Sequence, residues 1–356
     1  MTQMERWKGT AVRVVGAGAI GRGLATALAA SGIRVQLYTR FPEAHAPGDA
    51  RGGDAAGDAR GGGSGGGGVD VRALAALAGD AREALAPVVL CLSAPERELV
   101  AAELARGVAE VPRAAVARAS VEALLRDLPF DGLGFGPVLV VTNPVELVCE
   151  LVARRVPVPV LGFGMATDRE RIVEALERGF GIPDPGASLG VTGMHGRRAI
   201  PALAGVDGLL ARIAQESVPA IVGRLGASRG PYESASGRAA AVFRQLVADG
   251  QHAPHELVHA AVRAITAAEF DGARPPVARP VARLAAQVAA WLGGKPELAP
   301  EVSAPVEALG PRCFVGGRLT ARGFALPILS WDERELLGRE EAAHRAQVAE
   351  LLGGAR

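Results

Sequence analysis

Six residues, Gly16-Ala17-Gly18-Ala19-Ile20-Gly21, constrain this chain more than any other feature. They follow Thr10 to Val15, a short and mostly apolar run that reads as a buried parallel strand. They open residues 19–31, AIGRGLATALAAS, which have helical composition and end at Gly32. Ile33 to Tyr38 reads as a second strand. Strand, glycine turn, helix and strand within about 30 residues make a β-α-β unit, and such a unit commits its strands to a parallel sheet. Each glycine then has a task. Gly16 permits the tight turn, Gly18 lets the backbone approach a pyrophosphate, and Gly21 permits close helix–strand packing. The helix start, with Ala19 and Ile20, turns free N–H groups toward the phosphates. This predicts a Rossmann-type doubly wound parallel sheet carrying a dinucleotide.

The residue that reads the adenosine ribose belongs at the end of the second strand. NAD sites place Asp or Glu there. This chain has Thr39-Arg40, with no carboxylate before Glu43. A hydroxyl and a guanidinium suit a 2′-phosphate, so NADP is expected over NAD. The plainer reading makes Arg40 a solvated charge at a strand end.

Further strand signals lie at Pro87 to Leu92, Pro137 to Thr142 and Val158 to Gly162, with helical character over residues 96–128, broken near Pro112. Residues 46–68, APGDARGGDAAGDARGGGSGGGG, bury too little apolar surface to offset their ordering entropy, and read as a flexible insertion. Past residue 160 the character shifts. Residues 168–178 read as an amphipathic helix with Asp168 as its N-cap, and residues 208–224 and 235–248 as helices. Residues 273–283, ARPPVARPVAR, read as a breaker. Strand signals at 313–329 place a turn at Gly316-Gly317, and residues 331–352 read as a closing amphipathic helix. The expected domains are 1–160 for the dinucleotide and 161–356, an α+β substrate domain.

Composition narrows the partners. The formal net charge of +1 gives no sign of nucleic acid. No apolar run reaches membrane-helix length, and with no apolar stretch before the first strand no leader sequence is expected. The three cysteines, Cys91, Cys149 and Cys313, form no CxxC pair, which fits a reducing cytoplasm.

Four polar positions stand out. Asn143 ends a strand, at the sheet edge where ligands of open α/β sheets bind, although an asparagine before proline is also a common turn. Asp168 and Arg171 share a helix face, and arginine binds carboxylates in bidentate fashion; an N-cap with a surface ion pair is the bland alternative. His195 lies in Val191-Thr192-Gly193-Met194-His195-Gly196, a loop where an imidazole can exchange a proton. His255-Glu256-Leu257-Val258-His259 matches H-E-x-x-H, a zinc-hydrolase motif, but no third ligand completes it. A solvated helix face is the expectation there, and no metal is assigned.

The chain resembles the lactate/malate dehydrogenase family over nearly its full length. The glycine loop, TNPVELVCELV, LGFGMATDRERI, VTGMHGRRAIP and the tail CFVGGRL through LSWDERELLGREEA fall in the family's order. The resemblance implies reversible hydride transfer between nicotinamide and a 2-oxo or 2-hydroxy acid, malate-like in preference. His195 is then the proton donor and acceptor, Asp168 its partner, Arg171 the carboxylate anchor, and Asn143 a ligand of cofactor or substrate oxygen. A longer segment replaces the family's mobile loop. Arg113 best fits its carbonyl-polarising arginine, and Arg97 and Arg106 are candidates for a second substrate carboxylate. Arg197 and Arg198 after the histidine are departures that bear on the substrate, and Tyr232-Glu233-Ser234 offers no pocket threonine. The family implies a homo-oligomer, dimer or tetramer. A dinucleotide-binding or sensor protein without catalysis is the alternative on the same fold.

Overall fold

The computed structural model describes residues 11–40, 42, 68–77, 86–92, 118–119, 121–124, 126, 135–196, 198–227, 233–247, 252–269, 278–295, 301–306, 313–320 and 323–353. All of the expected insertion at 46–68 except Gly68, and most of the expected helix at 96–128, lie outside them. The chain forms two compact units, Met1–Phe163 with Val277–Ala299, and Gly164–Pro276 with Pro300–Arg356.

The first unit begins with β1 (Val12–Val15), α1 (Ala19–Ala30), β2 (Val35–Thr39), β3 (Val69–Ala73), β4 (Ala86–Leu90) and β5 (Phe135–Val140), followed by α2 (Val145–Ala153) and β6 (Val160–Gly162). Its strands lie in the order β3-β2-β1-β4-β5-β6. All neighbouring pairs are parallel, with Val14 facing Leu37 on one side and Val89 on the other. Central strands of such sheets lose both faces to the core, and β4 is buried throughout. The strand order reverses between β1 and β4. Their carboxyl ends therefore form the switch point at which sheets of this kind bind ligands. On α1, Leu24, Ala25, Leu28 and Ala29 are buried along one stripe, which holds the glycine turn against the sheet.

The second unit opens with α3 (Met165–Phe180), the antiparallel pair β7 (Gly190–Gly193) and β8 (Ala199–Ala202), and then α4 (Leu209–Ala214), α5 (Val218–Ala227), α6 (Glu233–Leu246) and α7 (Pro254–Glu269). The helix expected over 208–224 is thus two helices. Ile172, Leu176 and Phe180 of α3 pack with Leu225, Phe243, Val258 and Ala261, so the core joins α3 to α5, α6 and α7.

The chain then returns to the first unit as α8 (Ala278–Leu292). Residues 278–283 of the expected breaker are therefore helical, and residues 273–277 lie outside the described residues. Pro280 sits in the first turn of α8, where a missing N–H breaks no helical bond. Gly23 of α1 lets the helices meet, because a Cβ there would lie 2.9 Å from a Val281 methyl.

The second unit closes with β9 (Glu301–Pro305), β10 (Phe314–Thr320), β11 (Gly323–Ala325) and α9 (Trp331–Gly353). Its antiparallel strands run β9-β10-β7-β8, with β11 on the end of β10. Gly316 and Gly317 are not a turn. They lie inside β10, where a Cβ on Gly316 would stand 2.2 Å from the Met165 methyl and one on Gly317 2.5 Å from the Phe324 ring. Glycine in a strand here marks close approach. At the start of α9, Ser330 and Glu333 cap each other, and the buried Glu333 also accepts from Leu203 N–H at 2.8 Å. The strands β3, β8 and β9 escape the sequence reading. β8 contains Pro201, which argues against a strand except at a sheet edge, and β8 lies at the end of the order.

Candidate active site

In the first unit the glycine turn leaves no room for side chains. Gly16 has φ +109°, and a Cβ on it would stand 2.4 Å from the Cys91 carbonyl oxygen. A Cβ on Gly21 would stand 1.8 Å from the Gly16 carbonyl oxygen. Gly18 is extended and precedes α1, whose first turn holds no acidic residue and no side-chain cap. A backbone cradle ending in an uncapped helix start fits a pyrophosphate, both sterically and by the sign of the helix dipole. Thr39 is buried and Arg40 exposed at the end of β2. At the end of β5, the buried Thr142 accepts from Leu92 N–H at 2.9 Å and donates to the Leu90 carbonyl at 3.1 Å, which leaves Asn143 exposed beside it. Burial pushes the Cys91 thiol up to about 12 and Cys149 well above its usual value, so neither acts as a nucleophile.

In the second unit the polar candidates meet at the start of α3. His195 Nδ1 lies 2.6 Å from Asp168 Oδ2. Asp168 also accepts from Gly196 N–H at 3.1 Å, and Arg171 Nη1 lies 3.6 Å from its other oxygen. Asp168 is not the N-cap that the sequence suggested. The cap is Gly164, the helix begins at Met165, and Asp168 is buried in the first turn. The ion pair is therefore no surface pair. A carboxylate only accepts hydrogen bonds, so the ring nitrogen facing Asp168 carries the hydrogen.

The two arginines of Asp168-Arg169-Glu170-Arg171 separate sharply. Arg169 points back into its own unit, donating to Asp184 at 2.9 Å and to the Gly186 carbonyl at 2.6 Å. Arg171, beside Asp168, keeps 30% of its side chain exposed. Arg198 is held by Glu340 of α9 through its Nε and by the Glu340 carbonyl. It tethers the histidine loop to α9. Arg97, Arg106, Arg113, Arg197 and Tyr232 lie outside the described residues.

The H-E-x-x-H motif sits on α7, but its face is not solvated. His255 is buried, and His259 is pushed down to about 4, by burial first and then by the neighbouring His255. Glu256 accepts from Ala253 N–H at the start of its own helix, at 2.9 Å. Among the described residues no cluster of three metal-binding side chains forms.

Sequence reasoning missed Gly164. A Cβ there would lie 2.6 Å from His195 Cγ, so the imidazole rests directly on the backbone at the start of α3. The signal was present as the second glycine of Leu161-Gly162-Phe163-Gly164, but nothing local tied it to a histidine 31 positions later.

Solved structures repeat this architecture end to end. A malate dehydrogenase of Cryptosporidium parvum superposes with a TM-score of 0.58 at 14% identity, covering 96% of this chain and 98% of its own. A lactate dehydrogenase of the same organism, solved with lactic acid and nicotinamide adenine dinucleotide, gives 0.56 at 17% identity, with 96% and 97% covered. A malate dehydrogenase of Plasmodium falciparum gives 0.55 at 12%, with 97% and 99% covered. This chain has the malate and lactate dehydrogenase fold. No protein-family model matches it, and no curated protein does. Within the dehydrogenase fold, the glycine turn and the Asp168–His195 pair belong to separate units of the chain.

Proposed function

We propose that this chain is a nicotinamide-dinucleotide-dependent dehydrogenase of 2-hydroxy acids, with malate-like substrates preferred. The observation that carries the reading is the 2.6 Å contact between His195 Nδ1 and a buried Asp168, with Arg171 on the same helix turn. A buried carboxylate behind one ring nitrogen fixes the tautomer and stabilises the imidazolium, which prepares the other nitrogen for a proton transfer.

The bound nicotinamide supplies the hydride in reduction and takes it back in oxidation. Gly16, Gly18, Ala19, Ile20 and Gly21 hold its pyrophosphate through backbone N–H groups. Thr39 and Arg40 read the adenosine ribose, and the guanidinium favours the 2′-phosphate of NADP. Arg171 fixes the carboxylate of the substrate and so aims its C2 carbon. His195 gives a proton from Nε2 to the C2 oxygen as reduction proceeds, and recovers it in oxidation. Asn143 binds an oxygen of substrate or cofactor. Arg113 polarises the carbonyl, and Arg97 or Arg106 meets a second carboxylate. A homo-oligomer, dimer or tetramer, in a reducing cytoplasm completes the reading, and the three free cysteines, all buried, suit that compartment.

The test is consumption of NADPH and NADH, side by side, with oxaloacetate, pyruvate and bulkier 2-oxo acids. Turnover with an NADPH preference that Arg40→Glu reverses supports the reading. His195→Asn is expected to abolish turnover while dinucleotide binding persists. Bound dinucleotide with no turnover on any acid would mean a dinucleotide-binding protein without this chemistry.

A further inference from the structure

His195 stands between two glycines in the left-handed region, Gly193 at φ +79° and Gly196 at φ +90°. Glycine lets a backbone bend sharply there, but it does not fix where the bend comes to rest. The loop takes its position from what grips it. Asp168 grips one side, through His195 Nδ1 at 2.6 Å and the Gly196 N–H at 3.1 Å. The other grip comes from α9. Met194, next to the histidine, is buried with Leu329 and Leu337. Its N–H donates to the Arg198 carbonyl at 3.2 Å, so a hold on Arg198 reaches the backbone beside His195.

Arg198 gives its Nε to the Glu340 carboxylate and its Nη2 to the Glu340 main-chain carbonyl. Two donors of one planar fork on two acceptors of one residue fix direction as well as distance. The two side chains keep only 18% and 26% of their surface exposed. A pair so withdrawn from water adds little net stability, because the cost of desolvation offsets most of the attraction. Its consequence is geometric. The helix that supplies both acceptors is itself anchored, since the buried Glu333 in its first turn accepts from the Leu203 N–H at 2.8 Å.

We propose that Arg198 and Glu340 are positioning residues for His195, so that α9 sets where the imidazole stands against Asp168. The proposal rests on the dehydrogenase reading above. Neither residue touches the reacting atoms. They act through the loop, by holding the end of it that Asp168 does not.

The experiment measures single-turnover hydride transfer in the full chain, in Arg198→Met, in Glu340→Leu and in the double variant, with a thermal melt to verify folding. The expected result is a rate lowered about 30-fold by Arg198→Met, with the KM for the dinucleotide unchanged. The double variant should be no slower than Arg198→Met alone, because the two residues act as one unit. An unchanged rate in folded Arg198→Met overturns the proposal, and so do losses that multiply in the double variant. If Arg198→Met does not fold, the isosteric Glu340→Gln decides in its place, with a rate about 5-fold lower expected and an equal rate overturning the proposal. Should the wild type turn over no acid, the dehydrogenase reading fails by itself, and proton NMR decides the positioning. The Nδ1–H of His195, identified by its loss in His195→Asn, should give a low-field signal in the wild type that broadens or disappears in Arg198→Met. No such signal in the wild type, or one that Arg198→Met leaves unchanged, overturns the proposal.

Discussion

The glycine turn after β1 and the histidine loop after β7 are built on opposite plans. In the first, all that is needed lies in six consecutive residues, and the working groups are backbone N–H groups and the absence of side chains. In the second, the working groups are side chains from separate elements, with His195 and Asp168 27 positions apart. Their placement depends on a residue with no side chain at all, Gly164, on which the imidazole rests. A backbone site is written in its own residues and fails when those residues gain atoms. A side-chain site is written in its supports, and fails when they push.

This contrast can be broken or sharpened by substitution, beginning with the largest expected effect. Asp168→Asn should lower kcat by about 10³-fold or more, because an amide no longer holds the ring tautomer or its charge. Dinucleotide binding, followed by fluorescence titration, should stay as it was. If kcat held, the pair would be a structural tether only.

Gly21→Ala attacks the other plan. Its Cβ would meet the Gly16 carbonyl oxygen at 1.8 Å, and both atoms belong to the backbone turn, so neither gives way cheaply. A loss of about 4 kcal/mol in denaturant unfolding, with dinucleotide binding lost in parallel, is expected. Wild-type affinity would show that the turn is not the pyrophosphate cradle.

His259 belongs to neither plan and reports on burial. Its folded value of about 4 lies below the ordinary 6.5. Between these two the unfolded chain binds more protons than the folded one, so stability is full above pH 6.5 and falls as the pH drops toward 4. Unfolding free energy should decline by about 3 kcal/mol across that window in wild type. His259→Gln should remove most of this slope, and a slope left unchanged would assign it to other groups.

Gly164→Ala carries the smallest expected loss and is the sharpest discriminator. A Cβ 2.6 Å from His195 Cγ displaces the ring while Asp168 and the fold persist. A misplacement of about 1 Å costs about 10²-fold in kcat. The comparison fails if steady-state kinetics show no change, since the histidine would then owe nothing to its support.

Legibility followed the same division. Where structure repeats within a few residues, the reading came close. The β-α-β unit, the parallel strands, α3 and the closing helix announce themselves through glycine placement and periodicity. Where one element meets another, local signals misled. Gly316-Gly317 resembled a turn because glycine marks turns, but these glycines stand under Met165 and Phe324 within a strand. Proline marked 273–283 as a breaker, although its place in a first turn permits α8. Asp168 resembled an N-cap because Asp before an apolar stripe suits one, but the helix begins three residues earlier. The H-E-x-x-H face resembled a solvated one because nothing in its own five residues reports that α7 is packed against α3 and α6.

By itself, the sequence determined the class of fold and the position of the glycine turn, because backbone conformation and apolar periodicity act over a few residues. It also nominated His195, Asp168 and Arg171. Only the tertiary structure decided that Asp168 is buried against His195, that Arg169 is engaged by Asp184 while Arg171 stays partly exposed, that Arg198 is a tether, and that His259 is withdrawn from water. These outcomes depend on which surfaces are withdrawn from water when distant segments pack, and desolvation is a property of the assembled fold that no single segment carries.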